Sequence, residues 1–149
     1  MNTQTNKKGF TIIEVVLVLA IAALIFLMIF IAFPALSRGQ ANTARKNDAA
    51  AIAGAINTYR TNHNGDLPAQ VSDLDGYVDK LSQLEIDSIG VGAGSVVTSD
   101  NQDLDKAKIF TGAKCASDNS AEPGSKRQAA VLTVLEISSG KYETFCNNA

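Results

Sequence analysis

The feature that most constrains this chain is an unbroken run of nineteen apolar residues, 15–33, close to the start of the sequence. As an α-helix this run is about 29 Å long, which matches the hydrocarbon thickness of a bilayer. Two lysines, Lys7 and Lys8, precede it, and one acid, Glu14, stands at its edge. Because a carboxylate in such a run costs at least about 2.5 kcal/mol on membrane insertion, Glu14 is expected to have a partner or a purpose there.

Three kinds of segment combine a basic start with an apolar run. A secretory signal peptide has a shorter core, usually about 7–15 residues, and ends in a small-residue cleavage site that this stretch lacks. An ordinary signal anchor fits the length but explains neither Glu14 nor the Gly9-Phe10 junction. Residues 9–14, with the sequence GFTIIE, resemble the class III signal of type IV pilins and related pseudopilins.

The resemblance implies a processing pathway. In that family a prepilin peptidase cuts after the glycine, here Gly9, and the new amino-terminal residue, here Phe10, is N-methylated. The acid five residues into the mature chain, here Glu14, then pairs with the amino terminus of a neighbouring subunit. Lys7 and Lys8 hold the leader on the cytoplasmic side by the positive-inside rule.

Elementary electrostatics supports this assignment of Glu14. Cleavage at Gly9 leaves a charged amine on Phe10 at the edge of an apolar helix, about one helical turn from Glu14. In a low dielectric each charge is costly alone and much less so when paired. A subunit that offers Glu14 to the amine of another subunit therefore sets the axial register between the two.

The expected fold class is α+β: a long amino-terminal helix, transmembrane in its first half, packed on a small antiparallel sheet as in type IV pilins. The expected domains are a cleaved leader (1–9), a transmembrane and filament-core helix (10–36) and a globular headpiece (37–149). Pro34 is expected to kink the helix because it removes a backbone hydrogen bond, and Gly39 could loosen it further.

In the headpiece, residues 41–61 predict continued helix, since apolar residues recur at helical spacing beside a surface of small alanines. The opposite face is basic, and it is interpreted as a solvated face that pairs with acids of other subunits, with DNA binding as the less favoured alternative. Its residues are Arg38, Arg45, Lys46 and Arg60. The asparagines, glycine and proline of 62–68 predict the end of the helix.

The rest of the headpiece predicts short elements. A short amphipathic helix is expected over 72–84, a flexible glycine-rich turn over 89–95, an edge strand over 96–98 and a strand over 108–110. A surface loop is expected over 115–126, and residues 129–137 and 142–145 predict an antiparallel hairpin. Cys115 and Cys146 are the only cysteines. On the outer side of a membrane they are expected to form one disulfide, the alternative being two buried free thiols.

No catalytic or metal-binding motif is apparent in the sequence. The single histidine, His63, lies in a polar run and is interpreted as a solvated loop residue. Asp100, Asp103 and Asp105 do not have the spacing of a twelve-residue calcium loop. Neither enzyme activity nor a cofactor or metal is therefore expected, and the mild net charge of −2 does not favour nucleic acid as the main partner.

The resemblance implies the structural subunit of a type IV pilus, a surface filament for adhesion or twitching motility. Its partners would be like subunits, the prepilin peptidase, an inner-membrane assembly platform, the membrane and a host-cell surface. The protein would be single-pass with a cytoplasmic amino terminus before assembly, and extracellular afterwards. The alternatives are a pseudopilin or competence pilin and, from another class, a monomeric membrane-anchored binding domain.

Overall fold

The computed structural model describes residues 9–96 and 103–149. Lys7, Lys8, Asp100 and two residues of the predicted strand over 96–98 lie outside the described residues. Within the described residues the elements are one helix, α1, one short 3₁₀ turn and six strands, β1–β6. In chain order they are α1 Ile12–Asn62, the 3₁₀ turn Val71–Leu74, β1 Glu85–Val91, β2 Lys106–Thr111, β3 Ala113–Cys115, β4 Ala121–Pro123, β5 Ala129–Ser138 and β6 Lys141–Asn148.

Helix α1 is 51 residues long and remains helical through Pro34 and Gly39. Pro34 has no N–H to donate to the preceding turn, so one rung of the hydrogen-bond ladder is missing there. The expected bend at these two residues stays a prediction. By their internal contacts, residues Met1–Ser37 and Arg38–Ala149 form two compact units.

The end of α1 confirms the predicted helix stop. Asn64 and Gly65 both have left-handed backbones, with φ of 55° and 99°. The Gly65 N–H donates to the carbonyl of Arg60 at 2.8 Å, the six-to-one bond of a Schellman motif. Two residue types that tolerate positive φ therefore satisfy a helix carbonyl that would otherwise be left without a donor.

The main sheet has four strands in the order β1-β2-β5-β6. The pairs β2–β5 and β5–β6 are antiparallel, and the predicted carboxy-terminal hairpin is confirmed. Its two-residue turn contains Gly140 at φ 73°, a conformation that favours glycine. The pair β1–β2 is parallel. The sheet was expected to be antiparallel throughout, and it is antiparallel in two of its three strand pairs.

Strand β5 is buried on both faces, which places it at the centre of the headpiece. On one face Ala129 and Val131 belong to the cluster that contains the helix residues Ile52 and Ile56. On the other face Ala130, Leu132 and Val134 pack in a second cluster, beside the two cysteines. The predicted apolar face of α1 is thus confirmed, and its partner is the sheet.

Two segments differ from the sequence prediction. Instead of a helix over 72–84, only Val71–Leu74 forms a 3₁₀ turn, and Gly76 at φ 84° follows it. Leu74 is buried, and Val78 and Leu81 pack against the core. These apolar residues of a loop happen to have the spacing of a helix, which is why the prediction was wrong. The segment expected as a loop over 115–126 contains most of the β3–β4 hairpin, which a Lys114–Glu122 ion pair of 3.1 Å joins.

The glycine-rich segment over 89–95 is also more ordered than predicted. Strand β1 continues to Val91, and Gly94 forms an isolated bridge with Ala121. A Cβ on Gly94 would lie 2.0 Å from the ring of Phe110. The glycine is needed there because the aromatic ring occupies the space of a side chain.

Candidate assembly site at the start of the helix

The first turn of α1 is closed by two side chains, Thr11 and Glu14. The Thr11 N–H and hydroxyl both donate to Glu14 Oε2, at 2.8 and 2.7 Å. In return the Glu14 N–H lies 3.4 Å from Thr11 Oγ1. This reciprocal pattern is a capping box, which satisfies donors that the first turn of a helix leaves free.

The capping box changes the interpretation of Glu14. The sequence predicts a partner for this acid only in a neighbouring subunit, whereas in the structure Glu14 also has Thr11 of its own chain as a partner. The signal was available in the sequence, because threonine followed three residues later by glutamate is the capping-box spacing. Among the described residues Oε1 accepts no hydrogen bond, so half of the carboxylate remains available to a donor from outside the subunit.

Phe10 lies beside this carboxylate and is 89% exposed. Phe10, Glu14, Val15, Val18 and Leu19 line an open cavity of about 310 Å³. The surface that these residues present to the cavity is apolar, so it has the character of a helix-packing groove. Cleavage after Gly9, methylation of Phe10 and pairing of Glu14 with an amine stay predictions.

The apolar residues that follow are exposed along the whole run. The apolar side chains larger than alanine between Val15 and Phe33 are all about half exposed or more. The most apolar window of α1 has a mean hydropathy of 3.4 and no buried residue, so by length and composition the helix could cross a membrane. A signal sequence near an amino terminus passes the same test, so this property does not by itself distinguish a membrane anchor from a signal sequence.

The two cysteines form a disulfide bond. The bond joins β3 to β6 across 31 positions of sequence, with the two Cα atoms 5.7 Å apart. The Cys115 N–H also donates to Asn148 Oδ1 at 2.8 Å. The short β3–β4 hairpin is therefore tied covalently to the edge strand of the main sheet.

Three of the four basic residues assigned to a solvated helix face make contacts within the headpiece. Arg45 Nε donates to the Leu104 carbonyl at 2.8 Å, and Lys46 Nζ lies 5.2 Å from the centre of the Phe145 ring. Arg60 donates to the Arg127 carbonyl. The solvated-face interpretation was therefore wrong for Arg45 and Arg60, which are half-buried by these contacts, whereas Lys46 is exposed as expected.

The acids and the histidine show no metal-binding arrangement within residues 9–96 and 103–149. Asp103 and Asp87 lie 4.0 and 3.7 Å from Lys106. His63 is exposed as predicted, but its ring stacks on Tyr59 at 3.9 Å between centroids. Its Nδ1 also lies 2.9 Å from the Tyr59 carbonyl, so the ring is held against the end of α1.

Comparison with known protein families gives one match. A family model described as the prokaryotic N-terminal methylation motif matches residues 4–30, which include the GFTIIE segment and most of the apolar run. No curated protein and no solved structure matches the chain significantly. The chain therefore carries the class III signal of type IV pilins and pseudopilins, and its long amino-terminal helix with an antiparallel-rich sheet is α+β as in type IV pilins.

Proposed function

We propose that this chain is the structural subunit of a type IV pilus, a surface filament for adhesion or twitching motility. The observation that carries the proposal is the placement of Glu14, capped by Thr11 beside an exposed Phe10, inside the segment that matches the methylation motif. A prepilin peptidase removes residues 1–9, and N-methylated Phe10 becomes the amino terminus. Residues 10–36 then form the filament core, and residues 37–149 form the headpiece.

The capping box allows the Glu14 carboxylate to be hydrogen-bonded both in the isolated subunit and in the filament. In the isolated subunit Glu14 Oε2 is occupied by Thr11, which lowers the cost of holding the carboxylate at the edge of an apolar helix. In the filament the amine of a neighbouring Phe10 pairs with Oε1. The subunit keeps its helix cap while it gains the intersubunit contact, so the two interactions do not compete.

The driving force for assembly cannot be hydrophobicity alone, because lipid is as apolar as the side chains of residues 15–33. Packing between helices and the Glu14–amine pair must supply the gain. Repeating one head-to-tail contact of this kind produces an open helical fibre. The subunit works by assembly and not by catalysis, through contacts with like subunits, an inner-membrane assembly platform and, at the filament surface, a host cell.

The decisive substitution is Glu14→Gln. Glutamine at this position still completes a capping box, so the variant removes the charge and keeps the helix cap. We expect the variant to reach the membrane and to be processed, yet to form few or no filaments. Shed and cell-bound filaments are counted by electron microscopy, with Glu143→Gln, an exposed headpiece acid, as the matched control. Normal filament numbers in Glu14→Gln would contradict the proposal that the Glu14 charge sets the axial register between subunits.

Pseudopilins share the same signal, so a short secretion or DNA-uptake filament is the second candidate. Long surface filaments on cells producing the protein at native levels support the pilus, whereas filaments confined to the envelope support the pseudopilin. A monomeric membrane-anchored domain predicts instead that the leader stays attached and that Glu14→Gln has no effect.

A further inference from the structure

A polar cavity of about 450 Å³, open to solvent, lies on the surface of the headpiece at the carboxy-terminal end of α1. Arg60, Thr61, Asn64, Gly65 and Arg127 line it. It thus contains two guanidinium groups, and none of these lining residues is apolar or aromatic. Neither Arg127 nor this cavity has a role in the proposed filament assembly.

Arg60 is fixed by two hydrogen bonds, and the Arg127 guanidinium lies against Gly65. Arg60 donates from Nη1 to the Arg127 carbonyl and from Nη2 to Asn57 Oδ1, the latter at 2.6 Å. A Cβ placed on Gly65 would lie 3.1–3.2 Å from Nη2, Cζ and Nε of Arg127 alike. Since three guanidinium atoms are equally near, the Arg127 head group lies flat over Gly65. The glycine, already required by its φ of 99°, therefore also provides the surface on which the guanidinium rests.

The two positive charges have no acidic partner among the residues that the structure describes. Every ion pair within 4.0 Å there uses Lys106 or Lys114. Asp66 follows Gly65 and is exposed, but it forms no such pair with either arginine. The Arg127 guanidinium also makes no hydrogen bond to a described residue, so its fork of donors is open to the cavity. The carbonyl end of α1 offsets part of the repulsion between these two charges, and an anion between them would offset the rest.

We propose that this cavity binds a dianionic tetrahedral oxyanion, namely a phosphate group, either free or at the end of a small molecule. The guanidinium fork matches the geometry of phosphate oxygens, and two guanidinium charges match a group that carries close to two negative charges at neutral pH. A carboxylate or a phosphodiester would neutralise only half of that charge.

The lining also bears on the size and kind of ligand. The cavity falls within the range of small-molecule sites, about 300–1,000 Å³, and is larger than a single phosphate ion needs. It offers no aromatic surface on which a nucleobase could stack, which argues against a nucleic-acid strand. Free phosphate and a phosphate monoester share the chemistry of the site, and the spare volume would accommodate the remainder of the monoester.

The test is a titration of the full chain in an uncharged detergent at pH about 8, where phosphate is a dianion. The probes are inorganic phosphate, glycerol phosphate and acetate, added at constant ionic strength, and the readout is the amide NMR shifts of Asn64, Gly65 and Arg127. We expect both phosphates to give saturable shifts and acetate to bind at least about tenfold more weakly. Tighter binding of glycerol phosphate than of inorganic phosphate would identify the monoester as the ligand class.

The matched variants are Arg127→Gln and Lys126→Gln, two neighbouring exposed residues that lose the same charge. Arg127→Gln should weaken phosphate binding at least about tenfold, and Lys126→Gln should leave it unchanged. Arg127→Lys should also weaken binding, because a lysine lacks the planar fork.

Several results would overturn the proposal. These are unsaturable shifts in the wild-type chain, equal losses in Arg127→Gln and Lys126→Gln, or acetate binding as tightly as phosphate. Tighter binding of a short DNA strand without terminal phosphates than of glycerol phosphate would likewise replace the proposed ligand with a polyanion. None of these readouts depends on filament formation, so failure here leaves the pilus proposal standing.

Discussion

At the scale of single residues, Asp48 joins the helix to the segment that leads into β1. This acid is only 7% exposed, yet it accepts five hydrogen bonds from the segment that leads into β1. The donors are the N–H groups of Ser82, Gln83 and Leu84 and the Ser82 hydroxyl. Burial raises the pKa of Asp48, but these bonds together outweigh it and leave the pKa below its usual value.

The hydrogen bonds to Asp48 lead to a prediction about stability. Asp48→Asn turns amide N–H groups toward backbone N–H groups, so at least one donor is left unsatisfied. We expect the free energy of unfolding of the headpiece to fall by about 2 kcal/mol at pH 7. Denaturant unfolding followed by near-ultraviolet circular dichroism measures this fall, with Asp79→Asn, an exposed acid of equal charge, as the control.

The same substitution has a predicted pH dependence. Because the folded state lowers the pKa of Asp48, its stabilising contribution is complete above the unfolded pKa of about 3.9. The contribution is then lost as the pH falls through the still lower folded pKa. The stability difference between wild type and Asp48→Asn should therefore be constant from pH 7 to about 5 and shrink below about 4. A difference that grows on acidification would contradict the assigned sign.

At the scale of elements, two glycines are expected to respond in opposite ways to the same change. Gly54 lies inside α1 with nothing within 4 Å of an added Cβ, so Gly54→Ala should stabilise the headpiece by up to about 1 kcal/mol. Gly94 lies against the Phe110 ring, and Gly94→Ala should destabilise the headpiece by about 1–3 kcal/mol. Thermal unfolding of the two variants beside wild type measures both signs, and a neutral Gly94→Ala would mean that Phe110 moves freely.

The disulfide between β3 and β6 should contribute about 3–4 kcal/mol, the chain-entropy value for a loop of 31 residues. Adding a reductant should lower the midpoint of denaturant unfolding for the wild-type chain. The double variant Cys115→Ser with Cys146→Ser should start from the lower midpoint and show no effect of reductant. An equal effect of reductant on both proteins would mean that it acts elsewhere.

The elements that the sequence predicted are those whose signals are local. The 3.6-residue spacing of Ile52 and Ile56 and the β-branched run of β5 show in the sequence because each element buries a face along its own length. Strand β1 and the β3–β4 hairpin were missed, since their pairing depends on partners distant in sequence and not on a pattern of their own. Leu74 and Val78 gave a false helix because loop residues that reach the core can have any spacing.

The candidate sites divide in the same way. The motif from Gly9 to Glu14 is contiguous, so it could be recognised in the sequence. The threonine of its capping box could have been found there too, from its spacing to Glu14. The hydrogen bonds to Asp48 come from residues 34 or more positions away in the sequence, and Arg60 and Arg127 are 67 positions apart. Only the fold brings these residues together.

At the scale of the whole molecule, the proposed filament assembly depends on cleavage after Gly9. With residues 1–9 removed, the side-chain net charge changes from −2 to −4, because Lys7 and Lys8 leave with the leader. In the proposed filament, the new amine of Phe10 is the charge that pairs with Glu14 of a neighbouring subunit. Without cleavage there is no such amine, and both the register and the open fibre lose their basis.

The most direct test is therefore the intact mass of the protein isolated from its native cells, combined with mass spectrometry of its amino-terminal peptide. The account predicts a chain that begins at N-methylated Phe10 and gains two hydrogens when the Cys115–Cys146 bond is reduced. A chain that still begins at Met1, with Phe10 unmodified and internal, would contradict the account and leave a membrane-anchored monomer in its place.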